Sequence, residues 1–168
     1  MNSFHDLGLC DSIVRALAEN NIVTPTEIQQ KAIPHLLSGQ KDLLGLAQTG
    51  TGKTAAFGLP LLQHIHPPKR GVQAVVLAPT RELGLQIAQQ MISFSKHLPH
   101  VFVRAVYGGT PIIPQIKALR KPPQIIVATP GRLIDLVERH AINLSQETHL
   151  VLDEAAEMLN MGIQPALP

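Results

Sequence analysis

The chain is poor in cysteine, in aromatic residues and in charge. Of its 168 residues one is cysteine, none is tryptophan, 3% are aromatic and 15% are charged, whereas charged residues make up about 25% of typical globular proteins. The single Cys10 excludes an internal disulfide and a multi-cysteine metal cluster. The apolar fraction of 45% is too high for an intrinsically disordered chain. We therefore expect a folded domain with an aliphatic core.

Long apolar runs and a strong net charge are also missing. No apolar stretch approaches the ~18 residues that span a bilayer. The first ten residues lack the basic and apolar regions of a secretory signal peptide. The formal net charge of +2 is too small to identify a binding partner. We therefore expect a cytoplasmic protein that does not enter membranes.

What the chain does contain is a regular alternation of short aliphatic runs and helical patterns. Continuous aliphatic runs are typical of strands covered on both faces of a parallel sheet, and they lie at 43–46, 72–77, 101–107, 125–128 and 150–152. Helical patterns between them include 54–65 and 82–94. This order predicts an α/β fold with a doubly wound, mostly parallel sheet. Ligands of such sheets bind in the loops that follow the strands.

Two helices are predicted before the first strand. We expect Asp11 to cap a short helix. Thr24 is the expected N-cap of a second helix, with Pro25 in its first turn and Glu27 as the capping-box carboxylate. This second helix should end at Gly39.

The segment 47–54 reads Ala-Gln-Thr-Gly-Thr-Gly-Lys-Thr and lies between a predicted strand and a predicted helix. Its glycines allow backbone amides to face a phosphate, and the helix adds its N-terminal dipole. Lys53 would reach the β- and γ-phosphates, and the Thr54 hydroxyl would ligate Mg²⁺. A glycine-rich turn with an incidental lysine is the alternative, but the strand–loop–helix context favours nucleotide binding. The predicted nucleotide-binding residues are Gln48, Thr49, Gly50, Thr51, Gly52, Lys53 and Thr54.

An acidic pair, Asp153 and Glu154, follows the last aliphatic run. A carboxylate at the end of a neighbouring strand holds the metal in phosphate-loop enzymes, so we expect Asp153 to bind Mg²⁺. Glu154 would then orient or deprotonate the attacking water. Taken alone, such a pair is more often a helix start, but the phosphate loop favours catalysis. The predicted catalytic residues are therefore Lys53, Asp153 and Glu154.

In this order the motifs resemble the first RecA-like domain of a DEAD-box ATP-dependent RNA helicase, especially the bacterial cold-shock members. The resemblance covers essentially the whole chain and implies binding of ATP, ADP and RNA, and the unwinding of short RNA duplexes. Residues 24–29, Thr-Pro-Thr-Glu-Ile-Gln, are similar to the Q motif, in which Gln29 would read the adenine edge. Phe4 lies at the position of the aromatic residue that stacks on the base. The alternatives are an exposed helix residue for Gln29 and a core anchor for Phe4.

Three further loops are similar to the RNA-contacting motifs of that family, and they should share one edge of the sheet. Their hydroxyls, glycine amides and two arginines suit a ribose–phosphate backbone that is bound without reading bases. The alternative is that Thr80 and Thr129 cap helices while Arg81 and Arg132 are solvated, and the two interpretations are compatible. The implied RNA-binding residues are Pro79, Thr80, Arg81, Gly108, Gly109, Thr129, Pro130, Gly131 and Arg132.

The acidic motif departs from the family pattern. It reads Asp153-Glu154-Ala155-Ala156, whereas the family has a second aspartate in the last position. In the family that carboxylate links to a Ser-Ala-Thr motif and couples ATP turnover to strand separation. Ala156 therefore predicts impaired coupling or hydrolysis, with nucleotide binding largely kept.

The resemblance fades after Gly162, and neither a Ser-Ala-Thr motif nor a second RecA-like domain follows. We therefore expect residues 1–168 to form an N-terminal RecA-like ATP-binding domain that is incomplete at its C-terminus. Such a domain should turn over little ATP, and an exposed sheet edge should favour self-association. A non-catalytic nucleotide- or RNA-binding module remains the alternative.

Overall fold

The computed structural model of the chain describes residues 3–39, 52–146, 149–154 and 158. Helices and strands follow one another as α1 (Asp11–Glu19), α2 (Glu27–Ser38), α3 (Lys53–His64), β1 (Ala74–Leu77), α4 (Arg81–Phe94), β2 (Val103–Val106), α5 (Ile112–Ala118), β3 (Ile125–Ala128), α6 (Pro130–Glu138) and β4 (His149–Leu152). None of the helices in these ranges has the length and apolarity that a bilayer crossing needs.

The chain divides into two compact units, and the division falls within α4. Unit 1 consists of Met1–Pro67 and Gln89–Val101, and unit 2 consists of Pro68–Ala88 and Phe102–Pro168. Unit 1 therefore holds α1, α2, α3 and the second half of α4. Unit 2 holds the described strands with α5, α6 and the first half of α4.

The described strands of unit 2 form a parallel sheet in the order β2-β3-β1-β4. The predicted parallel α/β fold is thus confirmed. The central strands β1 and β3 are buried at every residue, as a strand covered on both faces should be. The same expectation was wrong for β2 and β4, which are only partly buried, because they form the edges of the described sheet.

Strands β1 and β2 are shorter than the aliphatic runs that predicted them, whereas β3 has the predicted bounds and β4 begins one residue earlier than predicted. Strand β2 begins at Val103 rather than at Val101, because the Phe102 N–H donates to the Gln124 side chain at 2.7 Å instead of to a strand neighbour. The strand predicted at 43–46 lies outside the described residues.

A cluster of aliphatic side chains forms part of the core of unit 2, as expected for a chain so poor in aromatic residues. Strand residues such as Val75 and Ile126 pack with Leu133 and Leu136 of α6. Ile112 and Ile116 of α5 cover the same cluster and are partly buried. The strands of the sheet therefore pack against the helices that follow them, and this packing fixes both ends of each loop that joins a strand to its helix.

Unit 1 has a helical core, in which α2 packs against α3. Its fully buried large side chains are Phe4, Ile13, Leu17, Ile33, Leu59, Leu62 and Met91. Gln63 of α3 holds the N-terminal segment, because its side chain accepts a hydrogen bond from the Cys10 N–H at 2.7 Å and donates one to the Gly8 carbonyl at 2.8 Å.

Both predicted N-caps of unit 1 were wrong. Cys10, not Asp11, is the N-cap of α1. Helix α2 begins at Glu27 behind the N-cap Thr26, two residues later than predicted. The capping box is completed by Gln29 rather than by Glu27, because Gln29 lies three residues after Thr26 and exchanges both hydrogen bonds with it. The predicted stop at Gly39 is confirmed, since Gly39 caps α2 in the left-handed conformation.

Candidate functional site

In unit 1, the side chain of Gln29 joins the start of α2 to the start of α3. Its Oε1 accepts a hydrogen bond from the Thr26 N–H at 3.0 Å, and its Nε2 donates to the Gly52 carbonyl at 3.2 Å. Gln29 is 3% exposed, so the alternative of an exposed helix residue was wrong. A carboxamide has two N–H donors and two acceptor lone pairs. The two bonds above leave one donor and one acceptor, which is the pair that an adenine edge requires.

Gly52 is required at its position for two reasons. Its φ is +84°, in the left-handed region that favours glycine. A Cβ built on it would also collide with the Gln29 carboxamide. The Gln29 contact therefore depends on the absence of a side chain at position 52.

Lys53 and Thr54 open α3 directly after Gly52. Gly52, the N-cap of this helix, has no side chain to cap it, and the dipole at a helix N-terminus favours an anion there. Lys53 adds a positive charge and Thr54 a hydroxyl. These residues fit a nucleotide phosphate and its metal ion. The other predicted phosphate-loop residues, Gln48, Thr49, Gly50 and Thr51, lie outside the described residues.

Phe4 is 2% exposed and belongs to the core of unit 1. Its backbone carbonyl accepts hydrogen bonds from the N–H groups of Leu7 and Leu9. This burial is what the core-anchor interpretation expects. Stacking of Phe4 on an adenine base stays a prediction.

In unit 2, the predicted RNA-binding loops meet at one edge of the sheet, which we call the carboxyl edge: residues 78–81, 107–110, 129–132 and 153–154. The strands before these loops are parallel and end in register, with Leu77 paired to both Ala128 and Leu152, and Val106 paired to Ala128. The expectation that the three loops share one edge is confirmed.

The two threonines of this edge differ in what they hold. The Thr80 hydroxyl accepts from the Leu83 N–H at 3.2 Å and so caps α4, as the alternative interpretation expected. Thr129 makes no such cap for α6. Its hydroxyl instead accepts from the Gly108 N–H at 3.3 Å, which ties the loop after β3 to the loop after β2.

The arginines of the edge are not simply solvated. The Arg81 guanidinium lies 4.8 Å from the centroid of the Tyr107 ring, within the range of a cation–π contact. Arg132 is half-buried and donates to the Thr110 carbonyl at 2.8 Å. Exposure also separates the other predicted residues: Pro79 and Pro130 are buried, whereas Gly109 and Gly131 are exposed.

A residue that the sequence did not single out lies at the centre of these loops. The Oε1 of Gln115, on α5, accepts from the Tyr107 N–H at 3.3 Å and from Arg132 at 3.1 Å. Its Nε2 donates to the Tyr107 carbonyl at 3.0 Å and to the Thr110 hydroxyl at 3.2 Å. No motif spacing marks Gln115, because its role depends on contacts with loops before and after it in the chain.

The acidic pair lies at the end of β4. Asp153 is 8% exposed, and its backbone N–H donates to the Leu77 carbonyl at 2.9 Å, which extends the pairing of β4 with β1. Glu154 follows with φ +53° and donates its N–H to the Asp153 carboxylate at 3.1 Å. Carboxylate oxygens at this position suit Mg²⁺, which prefers oxygen ligands. Ala155 and Ala156 lie outside the described residues.

Comparison with solved structures defines the class of protein. A crystal structure of a DEAD box protein from Methanococcus jannaschii matches with a TM-score of 0.89 and 42% sequence identity, covering 95% of this chain and 43% of that chain. Together with the parallel sheet, this likeness identifies an α/β domain of the RecA-like class.

The family follows from the sequence comparisons. The family model for the DEAD/DEAH box helicases matches residues 26–168, and the chain belongs to this family. It is 54% identical over 160 residues to the ATP-dependent RNA helicase DeaD of Escherichia coli K12, and 49% identical over 162 residues to the DEAD-box ATP-dependent RNA helicase CshA of Bacillus cereus. These matches cover 95% and 96% of this chain but only 25% and 30% of the relatives. The predicted resemblance to the cold-shock members is confirmed.

Proposed function

We propose that the chain is the ATP-binding and RNA-binding N-terminal part of an ATP-dependent RNA helicase that unwinds short RNA duplexes in the cytoplasm. The observation that carries this proposal is the carboxyl edge, where loops similar to the family's RNA-contacting motifs come together around Arg81, Thr129 and Arg132. Residues 1–168 would form one RecA-like domain.

ATP is the proposed nucleotide, and residues of unit 1 would bind its adenine and its phosphates. The buried carboxamide of Gln29 keeps one donor and one acceptor for the adenine edge. Lys53 and the first turn of α3 bind the phosphates. Thr54 would ligate Mg²⁺, which would neutralise charge on the phosphates when bound. In unit 2, Asp153 is a further proposed Mg²⁺ ligand. Glu154 holds the attacking water or accepts its proton.

RNA is the proposed polymer, and the carboxyl edge is suited to its backbone. A guanidinium has five N–H donors, and the described hydrogen bonds of Arg132 go to Thr110 and Gln115. Donors therefore remain for a phosphate. Arg81 and the exposed amides of Gly109 and Gly131 lie on the same edge. None of these groups reads a base, so binding should be independent of sequence.

Measurements of both ligands and of turnover test the proposal. A fluorescent ATP analogue with Mg²⁺ and a fluorescein-labelled oligouridine report binding, and phosphate release with and without RNA reports hydrolysis. We expect binding of both ligands with little or no turnover, because Ala156 replaces the carboxylate that couples hydrolysis to unwinding in the family. Binding without RNA-stimulated turnover fits a non-catalytic module equally well, and full RNA-stimulated turnover would select the enzyme. A folded chain that binds neither ligand would contradict the proposal.

The variant Lys53→Met gives the nucleotide assay its sharpest control. Loss of a charge-assisted contact with the phosphates should weaken binding of the ATP analogue about 100-fold. Affinity for RNA in the absence of nucleotide should stay at the wild-type value. An unchanged nucleotide affinity would show that the phosphates bind elsewhere.

We also propose that copies of the chain associate through a sheet edge. Leu150 of β4 is 40% exposed and belongs to an edge strand of the described sheet. Exposed strand edges favour pairing with another chain. Light scattering tests this directly, and a monomer at high micromolar concentration that melts cooperatively would contradict it.

A further inference from the structure

We propose that Gln115 is a positioning residue for RNA binding: it holds Arg132 and the loop 107–110 in the arrangement that contacts the RNA backbone, without touching RNA itself. This inference rests on the proposed function of the carboxyl edge. It concerns a residue outside the loops that resemble the RNA motifs.

The hydrogen bonds of Gln115 use the whole capacity of its carboxamide. The two acceptor positions of Oε1 take the Tyr107 N–H and the Arg132 guanidinium, and the two N–H groups of Nε2 go to the Tyr107 carbonyl and the Thr110 hydroxyl. Nothing is left over for a ligand. Gln115 therefore acts through its neighbours rather than by direct contact with RNA.

Each of these partners carries part of the proposed RNA surface. Tyr107 supplies the ring on which the Arg81 guanidinium lies, and both polar groups of its backbone are held by Gln115. Thr110 closes the loop that contains Gly109, whose φ is +78°, and its carbonyl receives Arg132. One side chain on α5 thus connects the arginines of the loops after β1 and β3 through the loop after β2.

If Gln115 positions Arg132 in this way, its loss should weaken RNA binding. Lys and Arg side chains lose conformational freedom when they are fixed on a phosphate, and a residue that fixes them beforehand lowers the cost of binding. In Gln115→Met the side-chain length is kept and all four hydrogen bonds are lost. Arg132 can still reach a phosphate, but it must be ordered at the moment of binding.

The experiment compares Gln115→Met with a matched control, Gln124→Met. Gln124 also belongs to unit 2, and its Oε1 also accepts a hydrogen bond from a backbone N–H, that of Phe102. Phe102 precedes β2, whereas Tyr107, the partner of Gln115, follows it. Oligouridine affinity is measured from 50 to 300 mM salt, together with Tm and the affinity for the fluorescent ATP analogue. We expect Gln115→Met to weaken RNA binding about tenfold, with the ATP-analogue affinity kept. Gln124→Met should lower Tm and leave the RNA affinity within about twofold.

The salt dependence shows whether the contact between Arg132 and a phosphate persists in each variant. Removal of one phosphate contact reduces the slope of log K against log salt by about 0.7 for a single strand, so Arg132→Met should lower the slope by that amount. Gln115→Met should keep the wild-type slope. In the double variant the two losses should add only in part, because Gln115 acts partly through Arg132. If Gln115→Met folds poorly, Thr110→Val removes one of its partners and should weaken RNA binding about twofold to threefold.

The outcomes distinguish this inference from the function on which it rests. A folded wild-type chain that binds no RNA overturns the proposed function and the inference with it. Wild-type RNA affinity in Gln115→Met overturns the inference alone, as do equal losses in Gln115→Met and Gln124→Met. Fully additive losses in the double variant would also overturn the inference, because Gln115 would then act independently of Arg132.

Discussion

Two glutamines, Gln29 in unit 1 and Gln115 in unit 2, each hold predicted site residues of their own unit, but they use their carboxamides to different extents. The described bonds of Gln29 occupy one donor and one acceptor, whereas those of Gln115 occupy two of each. Gln29 therefore keeps capacity for a ligand, and Gln115 does not. A glutamine side chain can thus bind a ligand or position a loop. Which of the two it does depends on how many of its donors and acceptors remain unused.

The two regions also differ in what makes the contact feasible. The Gln29 contact needs a backbone without a side chain at Gly52, since a Cβ would collide with the carboxamide. The Gln115 contacts need no glycine at their centre, because they go to Tyr107, Thr110 and Arg132. We expect the first region to be sensitive to backbone changes and the second to be sensitive to side-chain changes.

Among the variants that test this comparison, Gly52→Ala should have the largest effect. A left-handed conformation costs a residue with a Cβ about 1–2 kcal/mol, and the collision with Gln29 adds to that cost. We expect the affinity for the ATP analogue to fall by at least tenfold and Tm to fall with it, while the affinity for RNA without nucleotide is kept.

Gly39→Ala is the matched control for this variant. Gly39 is also left-handed, with φ +67°, but nothing lies within 4 Å of a Cβ built on it. It should lower Tm by the conformational cost alone and leave nucleotide binding unchanged. Equal nucleotide affinities for the two variants would show that the Gln29 contact is unimportant for binding.

A medium effect is expected from Gln29→Glu. The carboxylate keeps the acceptor for the Thr26 N–H but loses the donors for the Gly52 carbonyl and for adenine. The preference for ATP over GTP, measured by competition against the fluorescent analogue, should fall about tenfold, since one buried hydrogen bond to a substrate commonly carries about that much.

Gln63→Glu serves as the control for the substitution itself. Gln63 also accepts from one backbone N–H and donates to one carbonyl, but these belong to Cys10 and Gly8 at the N-terminal segment. Its change should affect Tm without affecting nucleotide preference. A loss of preference in Gln63→Glu as large as that in Gln29→Glu would remove the specific role of Gln29.

The smallest expected effect is on the pH dependence of Tm, and it compares a carboxylate of unit 1 with one of unit 2. Hydrogen bonds from His97 and Lys96 hold the pKa of Glu19 below its ordinary value of 4.5. A carboxyl whose pKa is lowered by folding stabilises the fold above its unfolded pKa, and this contribution is lost as the pH falls through the folded pKa. Between pH 6 and pH 3, Tm should therefore fall less in Glu19→Gln than in the wild type. Glu138→Gln, on α6 of unit 2, is the comparison, and an identical pH profile for wild type and Glu19→Gln would exclude the contribution.

Much of the fold could be predicted from the sequence because it depends on local pattern. The aliphatic runs before Pro79 and Thr129 predicted β1 and β3, and Gly39 predicted the end of α2. The error at Thr24 fell where two local patterns competed. Thr24 and Thr26 both precede a helix, and only the reach of Gln29 back to the Thr26 N–H decides between them.

The candidate site divides in the same way. The glycines, Lys53 and Thr54, and the acidic pair Asp153 and Glu154 could be named from the sequence because chemistry at a phosphate requires those residue types in a short stretch of chain. Gln115 could not be named, because its partners Tyr107 and Arg132 lie 8 residues before it and 17 residues after it. The partial exposure of β2 and β4 also could not be read from their aliphatic composition, since it depends on strand order.

The sequence by itself determined that this chain, poor in cysteine, aromatic residues and charge, forms a parallel α/β domain of the DEAD/DEAH box helicase family, because motifs and periodicity are local properties. Only the tertiary structure decided that Gln29 is buried against Gly52 and that Gln115 joins the loops of the carboxyl edge. Both depend on hydrogen bonds between segments far apart in the chain, and the geometry of such bonds is fixed only when the helices and strands have packed.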